Sequence, residues 1–349
     1  MTSVSDFPTF LPWHLNSAQQ WLGQQERFAH AWLLHGLPGI GKREFAKAAA
    51  ACLLCEQAEQ HMACGQCTSC QWIRSGTHPD LRFLRPDAIT VAEDPQTESL
   101  SESVKKAPSK EIRIEQLRQL HTWFNTATHR GGWRVAVLYP AESMGHVAAN
   151  ALLKVLEEPP AHTVFLMVAD APDRLLPTLV SRCRRLPLAV PAPAVAKQWL
   201  MQQGVAQADD WLAACGGAPV IALENSRAHT QAYPQWLLSW LEQRLGEGGA
   251  DDLYTSLENV SPVDWIPAFQ RLFTDLQLQA FGQGPRYYPS LAERSGRVAR
   301  QSRPQALAEA LRWLNEQYHI ARHPLNNKVF VHHSLDRLAL ACSANVPSY

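Results

Sequence analysis

HGLPGIGKREF, residues 35–45, is one residue away from a phosphate-binding loop. Gly36, Gly41 and Lys42 fall on the pattern G-x-x-x-x-G-K-[ST], and Gly39 adds a further flexible point between them. In that pattern the glycines let backbone N–H groups close around phosphates. The lysine meets the outer phosphate oxygens, and the terminal hydroxyl ligates Mg²⁺. Here the terminal position is Arg43. A guanidinium is permanently charged and has no acceptor, so it cannot hold a metal ion. The flanks nevertheless fit. The apolar run AWLLH (31–35) precedes the loop, and the alanine-rich REFAKAAAACLLC (43–55) follows it. Strand, glycine loop, helix is the context in which this loop works.

The same alternation continues along the chain. PDLRFLRP (79–86), WRVAVLYP (133–140) and TVFLMVAD (163–170) read as strands, the last two as buried ones with continuous apolar centres. EIRIEQLRQLHTWF (111–124) has apolar residues at helical spacing, at Ile114, Leu117, Leu120 and Phe124. HVAANALLKVLEEPP (146–160) is a helix stopped by Pro159 and Pro160. Continuous apolar strands between helices predict an α/β domain with a parallel sheet covered on both faces. Residues 87–110 are polar and broken by proline, and read as a loop. PLAVPAPAVAKQW (187–199) is a proline-rich junction. Beyond it every pattern is helical and amphipathic. The predicted organisation is an α/β domain over 1–187, a small helical domain over 188–227 and an all-α domain over 228–349.

A nucleotide hydrolase with this loop needs an apolar strand that ends in Asp and Glu, to hold Mg²⁺ and to position water. The matching strand, VAVL (135–138), runs into Tyr139 and Pro140. Glu142, Glu157 and Glu158 lie off the strand end. Arg43 and the missing carboxylates agree, since both remove metal binding. The loop then keeps its shape with weak or no nucleotide binding, or it binds without turnover. Active hydrolysis fits the residues least.

Five of the eight cysteines lie in residues 52–70. Cys55-x8-Cys64-x2-Cys67-x2-Cys70 gives two CxxC steps and a fourth thiol, the spacing of a structural four-thiolate Zn²⁺ site. Free thiols or an iron–sulfur cluster would be the alternatives. Cys52 and His61 compete as ligands. Cys52 falls seven residues after Phe45 on one helix face and reads as core, and His61 reads as a loop histidine. The remaining cysteines, Cys183, Cys215 and Cys342, are scattered.

Lys+Arg and Asp+Glu are both 32 in the 349 residues, so no global basic field drives DNA binding. The four-cysteine stretch itself has no Lys or Arg, which counts against a zinc-dependent nucleic-acid-binding module. Nothing in the opening residues has the basic-then-apolar order of a secretory signal, and no apolar run reaches membrane-spanning length. A cytoplasmic location is expected.

ANALLKVLEEPP (149–160), LLPTLVSRC (175–183), the glycine loop and the inserted cysteine module occur together in one order. In that combination the chain resembles the subunits of the bacterial DNA polymerase III clamp loader, of the AAA+ class. The likeness extends over roughly residues 10 to 225. The Tyr139–Pro140 strand end is similar to the delta-prime branch rather than to the gamma/tau branch, whose ATPase motifs are intact. The resemblance implies a RecA-like AAA+ domain, a helical lid and a helical collar. It implies a ring with gamma/tau and delta subunits, acting on a sliding clamp and primed DNA at the replisome. It implies no hydrolysis by this chain itself. An arginine would sense nucleotide after the glycine turn of the lid, where this chain has Val220. It also implies that Arg182, in Ser181-Arg182-Cys183, reaches a neighbour's ATP in trans. A guanidinium suits that task. Read alone, Arg182 is a surface arginine beside a local carboxylate.

Overall fold

The computed structural model describes residues 7–24, 28–93, 107–124, 126–129, 131–247, 253–321 and 326–343. The chain divides into two units, Met1–Val195 and Ala196–Tyr349. The first holds five strands: β1 (Ala31–His35), β2 (Leu81–Leu84), β3 (Arg134–Leu138), β4 (Thr163–Ala169) and β5 (Arg184–Pro187). They form one parallel sheet in the order β2-β3-β4-β1-β5, so the strand that feeds the glycine loop lies inside the sheet.

The sheet is apolar on both faces because both are covered. Trp32 and Leu34 of β1, Val135 and Val137 of β3, and Val164, Leu166 and Val168 of β4 point to one core. Helices α1 (Leu15–Leu22) and α2 (Lys42–Leu54) close it through Trp21, Leu22, Phe45 and Ala49. The alternate residues, Leu33, Ala136, Leu138, Phe165 and Met167, point to the other core. That side is closed by α5 (Ile114–Phe124), α6 (His146–Glu157) and α7 (Pro177–Val180), following the short α3 (Thr68–Arg74) and α4 (Asp87–Glu93) in the chain. The period of two along each strand thus serves two cores at once.

Two expectations change, and one strand is added. Residues 87–93 are not loop but helix α4, while 94–106 lie outside the described residues. In α5 the buried stripe is Leu117, Leu120 and Trp123; Trp123 turns inward because its indole N–H reaches the Pro79 carbonyl at 2.8 Å. The fifth strand, β5, has no apolar signature. It is an edge strand paired only with β1, and its Arg184 and Arg185 are exposed. Charged edges of this kind discourage pairing with another chain.

The second unit is helical. Helix α8 (Pro193–Gln202) leads into it, followed by α9 (Ala208–Ala214) and α10 (Pro219–Ala228). Leu200, Trp211, Leu212, Ala222 and Leu223 form a small core of their own. Helices α11 (Gln235–Leu245), α12 (Leu253–Glu258), α13 (Pro262–Ala280), α14 (Ala292–Gln301), α15 (Pro304–Ile320) and α16 (Asn327–Ala341) share a larger one around Trp240, Trp265, Phe269 and Phe273. Among the described residues no helix is long and apolar enough to cross a membrane.

Candidate functional site: a filled phosphate loop, a four-cysteine cluster and a surface arginine

The glycine loop joins the C-terminal end of β1 to the first turn of α2, a common ligand position in parallel sheets. Its glycines are needed by the fold itself. A Cβ on Gly36 would lie 2.6 Å from the Leu188 carbonyl oxygen. Gly41 is left-handed, with φ 90°, and a Cβ there would meet Leu11. The residues before α1 pack directly on the loop. Trp13 donates its indole N–H to the Ile40 carbonyl at 2.9 Å, and His14 sits edge-on to Phe45.

Lys42 is 3% exposed. Its ammonium donates to the Gly36 carbonyl at 2.8 Å and the Leu37 carbonyl at 2.6 Å, and pairs with Asp170 at 2.5 Å. A lysine has three N–H donors. All three are taken by the chain's own oxygens. Asp170 stands just past the end of β4, and its backbone N–H is held by Glu142 at 2.9 Å.

The end of β3 is filled in the same way. Tyr139 is buried and donates its phenol to Glu93 at 2.7 Å. Glu93, at the end of α4, also receives Lys47 at 3.0 Å, Arg43 at 3.3 Å and the guanidinium of Arg85. Arg85 in turn donates to the Tyr139 oxygen at 2.7 Å. Burial alone would raise the Glu93 carboxyl, but the charges of Lys47 and Arg85 outweigh it and hold it below its usual value. Burial and the neighbouring Glu93 push the Tyr139 phenol up, so it stays a neutral donor. The position of the metal-binding hydroxyl is thus a cation, and the position of the metal-binding carboxylate is a phenol. Neither can hold Mg²⁺.

His14 offers a pH test of this packing. It is 1% exposed, and neither ring nitrogen has a hydrogen-bond partner among the described residues. Burial, helped by the charge of Lys42, lowers its pKa from 6.5 to about 4. The unfolded chain therefore takes up a proton as pH falls below 6.5, and the folded chain does not until about 4. Stability contributed by the neutral ring is complete above 6.5 and is lost as pH falls through that window. The loss should reach about 3 kcal/mol. His14→Phe should remove it, and urea midpoints at pH 7.5 and pH 5 would show wild type falling toward the variant or below it. Parallel pH profiles would contradict the assignment.

Cys55, Cys64, Cys67 and Cys70 come together, with all sulfur atoms within 4.8 Å of one another. The Cys55–Cys64, Cys55–Cys67 and Cys64–Cys70 separations are 3.6, 3.9 and 4.0 Å. A tetrahedral ion with metal–sulfur bonds of about 2.3 Å would set sulfurs about 3.8 Å apart. Backbone N–H groups of Cys64 and Cys67 point at sulfur, each at 3.3 Å, as thiolates require. Four sulfurs close the tetrahedron, so the cluster can hold a metal ion without leaving a catalytic position. Cys52 and His61 stay outside it. Cys52 is buried and receives the Ala63 N–H at 3.3 Å. The module is tied to the sheet by a relay. Ser69 donates to the Leu54 carbonyl at 2.6 Å, so at 2.8 Å it accepts from His78, whose other nitrogen accepts the Asp80 N–H. Nothing in the cysteine spacing announces His78.

Arg182 follows α7 and is half-buried. Its guanidinium pairs with Glu157 at 2.5 Å and donates to the Thr178 carbonyl at 3.0 Å. Its neighbour Cys183 is buried and donates to the Leu179 carbonyl. Val220 stands in the first turn of α10, with no charge to offer a nucleotide. Sequence reasoning reached Lys42, the four cysteines and Arg182, but not Asp170, Glu93, Arg85 or Glu157 as their partners.

A family profile described as "DNA polymerase III, delta subunit" matches residues 15–192. The chain is similar to "DNA polymerase III subunit delta'" of Pseudomonas aeruginosa, at 39% identity over 63% of this chain and 61% of that protein. It is similar to the subunit of the same name from Haemophilus influenzae, at 30% identity over 69% of each chain. It also resembles a crystallised DNA polymerase III gamma subunit-related protein from Thermotoga maritima, at 16% identity and a TM-score of 0.46 over 94% of this chain and 99% of that one. The chain spans about three fifths of the length of the Pseudomonas relative. A profile match over half of the residues, on a parallel sheet with this loop and cysteine cluster, places the chain in the DNA polymerase III delta-prime family.

Proposed function

We propose that the chain is a subunit of a DNA polymerase III clamp loader, a component of DNA replication that does not hydrolyse ATP itself. The observation that carries the reading is the filled nucleotide site. Lys42 spends its three donors on Gly36, Leu37 and Asp170, and the end of β3 presents Tyr139 where metal would bind. A subunit that turned over ATP would need the lysine free for phosphate and a carboxylate at the strand end for Mg²⁺. The delta-prime relatives support the place of the chain in such a complex. Its partners in this reading are gamma/tau-type and delta-type subunits in a ring, and through them the sliding clamp and primed DNA.

Three finer assignments belong to the same reading. Cys55, Cys64, Cys67 and Cys70 hold one Zn²⁺, whose part is structural. It pins the segment after α2 to the start of α3. Arg182 serves in trans, as a charge beside a neighbour's ATP, so the chain has no independent catalytic activity. The chain comprises an AAA+ domain over 1–187, a lid over 188–227 and a collar over 228–349. The separate cores of the second unit support the last two.

The test is reconstitution. The chain is mixed with gamma/tau-type and delta-type subunits from its own source, and the intact assembly is weighed by native mass spectrometry. Incorporation of this chain, and loading of clamp onto primed DNA only when it is present, is the expected result. Loading at full rate by an assembly that omits the chain would end the proposal.

A further inference from the structure

Lys42 and its neighbours raise a question that loss of hydrolysis does not answer. A dead site could simply stand open, yet this one carries its own anions. Four cations face the loop and the end of β3: Lys42, Arg43, Lys47 and Arg85. Asp170 pairs with the first, and Glu93 receives the other three. The two carboxylates arrive from different elements, the end of β4 and the end of α4. Glu142 fixes Asp170 from behind through the backbone N–H groups of residues 170 and 171.

We propose that Asp170 is an internal substitute for a nucleotide phosphate, which holds the loop in one arrangement and excludes polyphosphate from a site that could otherwise bind it. The inference rests on the reading of the loop as nucleotide-silent, and adds how the silence is produced. The ligand class excluded is a pyrophosphate or a triphosphate tail. The loop retains what that class needs: flexible glycines, the N-terminus of the 13-residue α2 and a buried ammonium. The missing element is a donor on Lys42. An ammonium cannot serve a carboxylate, two carbonyls and a phosphate together. Glu93 acts in the same sense one step away, by occupying Arg43, Lys47 and Arg85 before a phosphate can. Asp170 is the decisive group, because it takes the donor that would face an incoming phosphate, while the carbonyls of Gly36 and Leu37 belong to the loop itself.

Calorimetric titration of the full chain with inorganic pyrophosphate, without metal, tests this. Wild type should give no binding heat at millimolar ligand. Asp170→Asn, which keeps the shape and removes the charge, should bind at least about tenfold tighter. Adding Glu93→Gln should tighten binding again. Lys42→Met in the Asp170→Asn background should abolish it, which separates the loop from stray cationic patches. Pyrophosphate should also raise the melting temperature of Asp170→Asn and not that of wild type. If Asp170→Asn folds poorly, its refolding yield should rise with pyrophosphate. Failure of both binding and rescue overturns the proposal, and so does Lys42-dependent micromolar binding by wild type. In the first case the assembly test above still decides the clamp-loader reading. An assembly failure would leave the titration result standing.

Discussion

Arg182→Ala should lower ATP hydrolysis by the reconstituted assembly at saturating clamp and primed DNA, and slow clamp loading, while folding, metal content and assembly stay intact. The reason lies in the contrast between Arg182 and the rest of the site. Around the chain's own loop Lys42, Lys47 and Arg85 are 3%, 28% and 18% exposed, and each meets a carboxylate. Arg182 instead pairs with Glu157 at the surface, where the two side chains are 35% and 52% exposed. Such pairs contribute about 0–1 kcal/mol and exchange readily. A neighbour's γ-phosphate carries more charge than Glu157 and can take the guanidinium over. An arginine in trans is worth about 10³–10⁵ in rate at one site in the best-known GTPases. The whole assembly should lose only that site's share, because its other sites are served by other chains. Arg182→Lys should recover little, since an ammonium lacks the planar fork. Glu157→Gln should leave turnover intact or raise it, by removing the competitor. Turnover and loading equal to wild type in Arg182→Ala would leave Arg182 as no more than the partner of Glu157.

The second large effect is expected at the cysteines. Cys70 is fully buried at the start of α3, a helix of seven residues. Between Cys55 and Arg74 the buried residues are few: Cys67, Ser69 and Cys70. So small a set of contacts orders the segment poorly, and a metal held by the four sulfurs would supply the difference. Structural Zn²⁺ binding in isolated finger peptides releases about 10–16 kcal/mol at pH 7, so loss of one ligand should be severe. Cys70→Ser should reduce zinc from one ion per chain to a small fraction. It should also expose the segment to protease and weaken the Ser69–His78 tie to the sheet. Cys52→Ser should keep its zinc, because the Cys52 sulfur lies outside the group of four. Elemental analysis decides: iron in reduced preparations, or full zinc in Cys70→Ser, would refute the assignment.

The fold was legible where burial is two-sided. In β1, β3 and β4 both faces are covered, so each strand carries a run of at least four consecutive apolar residues. β5 was not legible, because an edge strand needs only one neighbour and gains from the charges of Arg184 and Arg185. Helix α4 was hidden by its composition, since no residue in it is buried. The cysteine cluster could be read from spacing alone, because a tetrahedral ion constrains short intervals of chain. The ion pairs could not. Lys42 and Asp170 are 128 positions apart, and Arg43 and Glu93 are 50 apart. Charge pairs leave no periodic trace. What the sequence does carry is the pair of departures at Arg43 and Tyr139, and both lie in the Glu93 cluster. The hydroxyl missing at 43 and the carboxylate missing at 139 are visible in the sequence, and the carboxylates that engage the cations there are not.

The claim that this chain is silent at its own loop and acts only on its neighbours meets its most direct test in a ring altered at Lys42 alone. Lys42→Met removes the group on which any nucleotide site here would depend. It leaves Asp170, which is 47% exposed, to be solvated by water. Steady-state ATP hydrolysis is then measured on the reconstituted assembly at saturating clamp and primed DNA, with wild-type partners. The predicted rate is within about twofold of the unaltered assembly. A fall comparable to that caused by the same change in a gamma/tau-type subunit would show that this loop binds and turns over ATP.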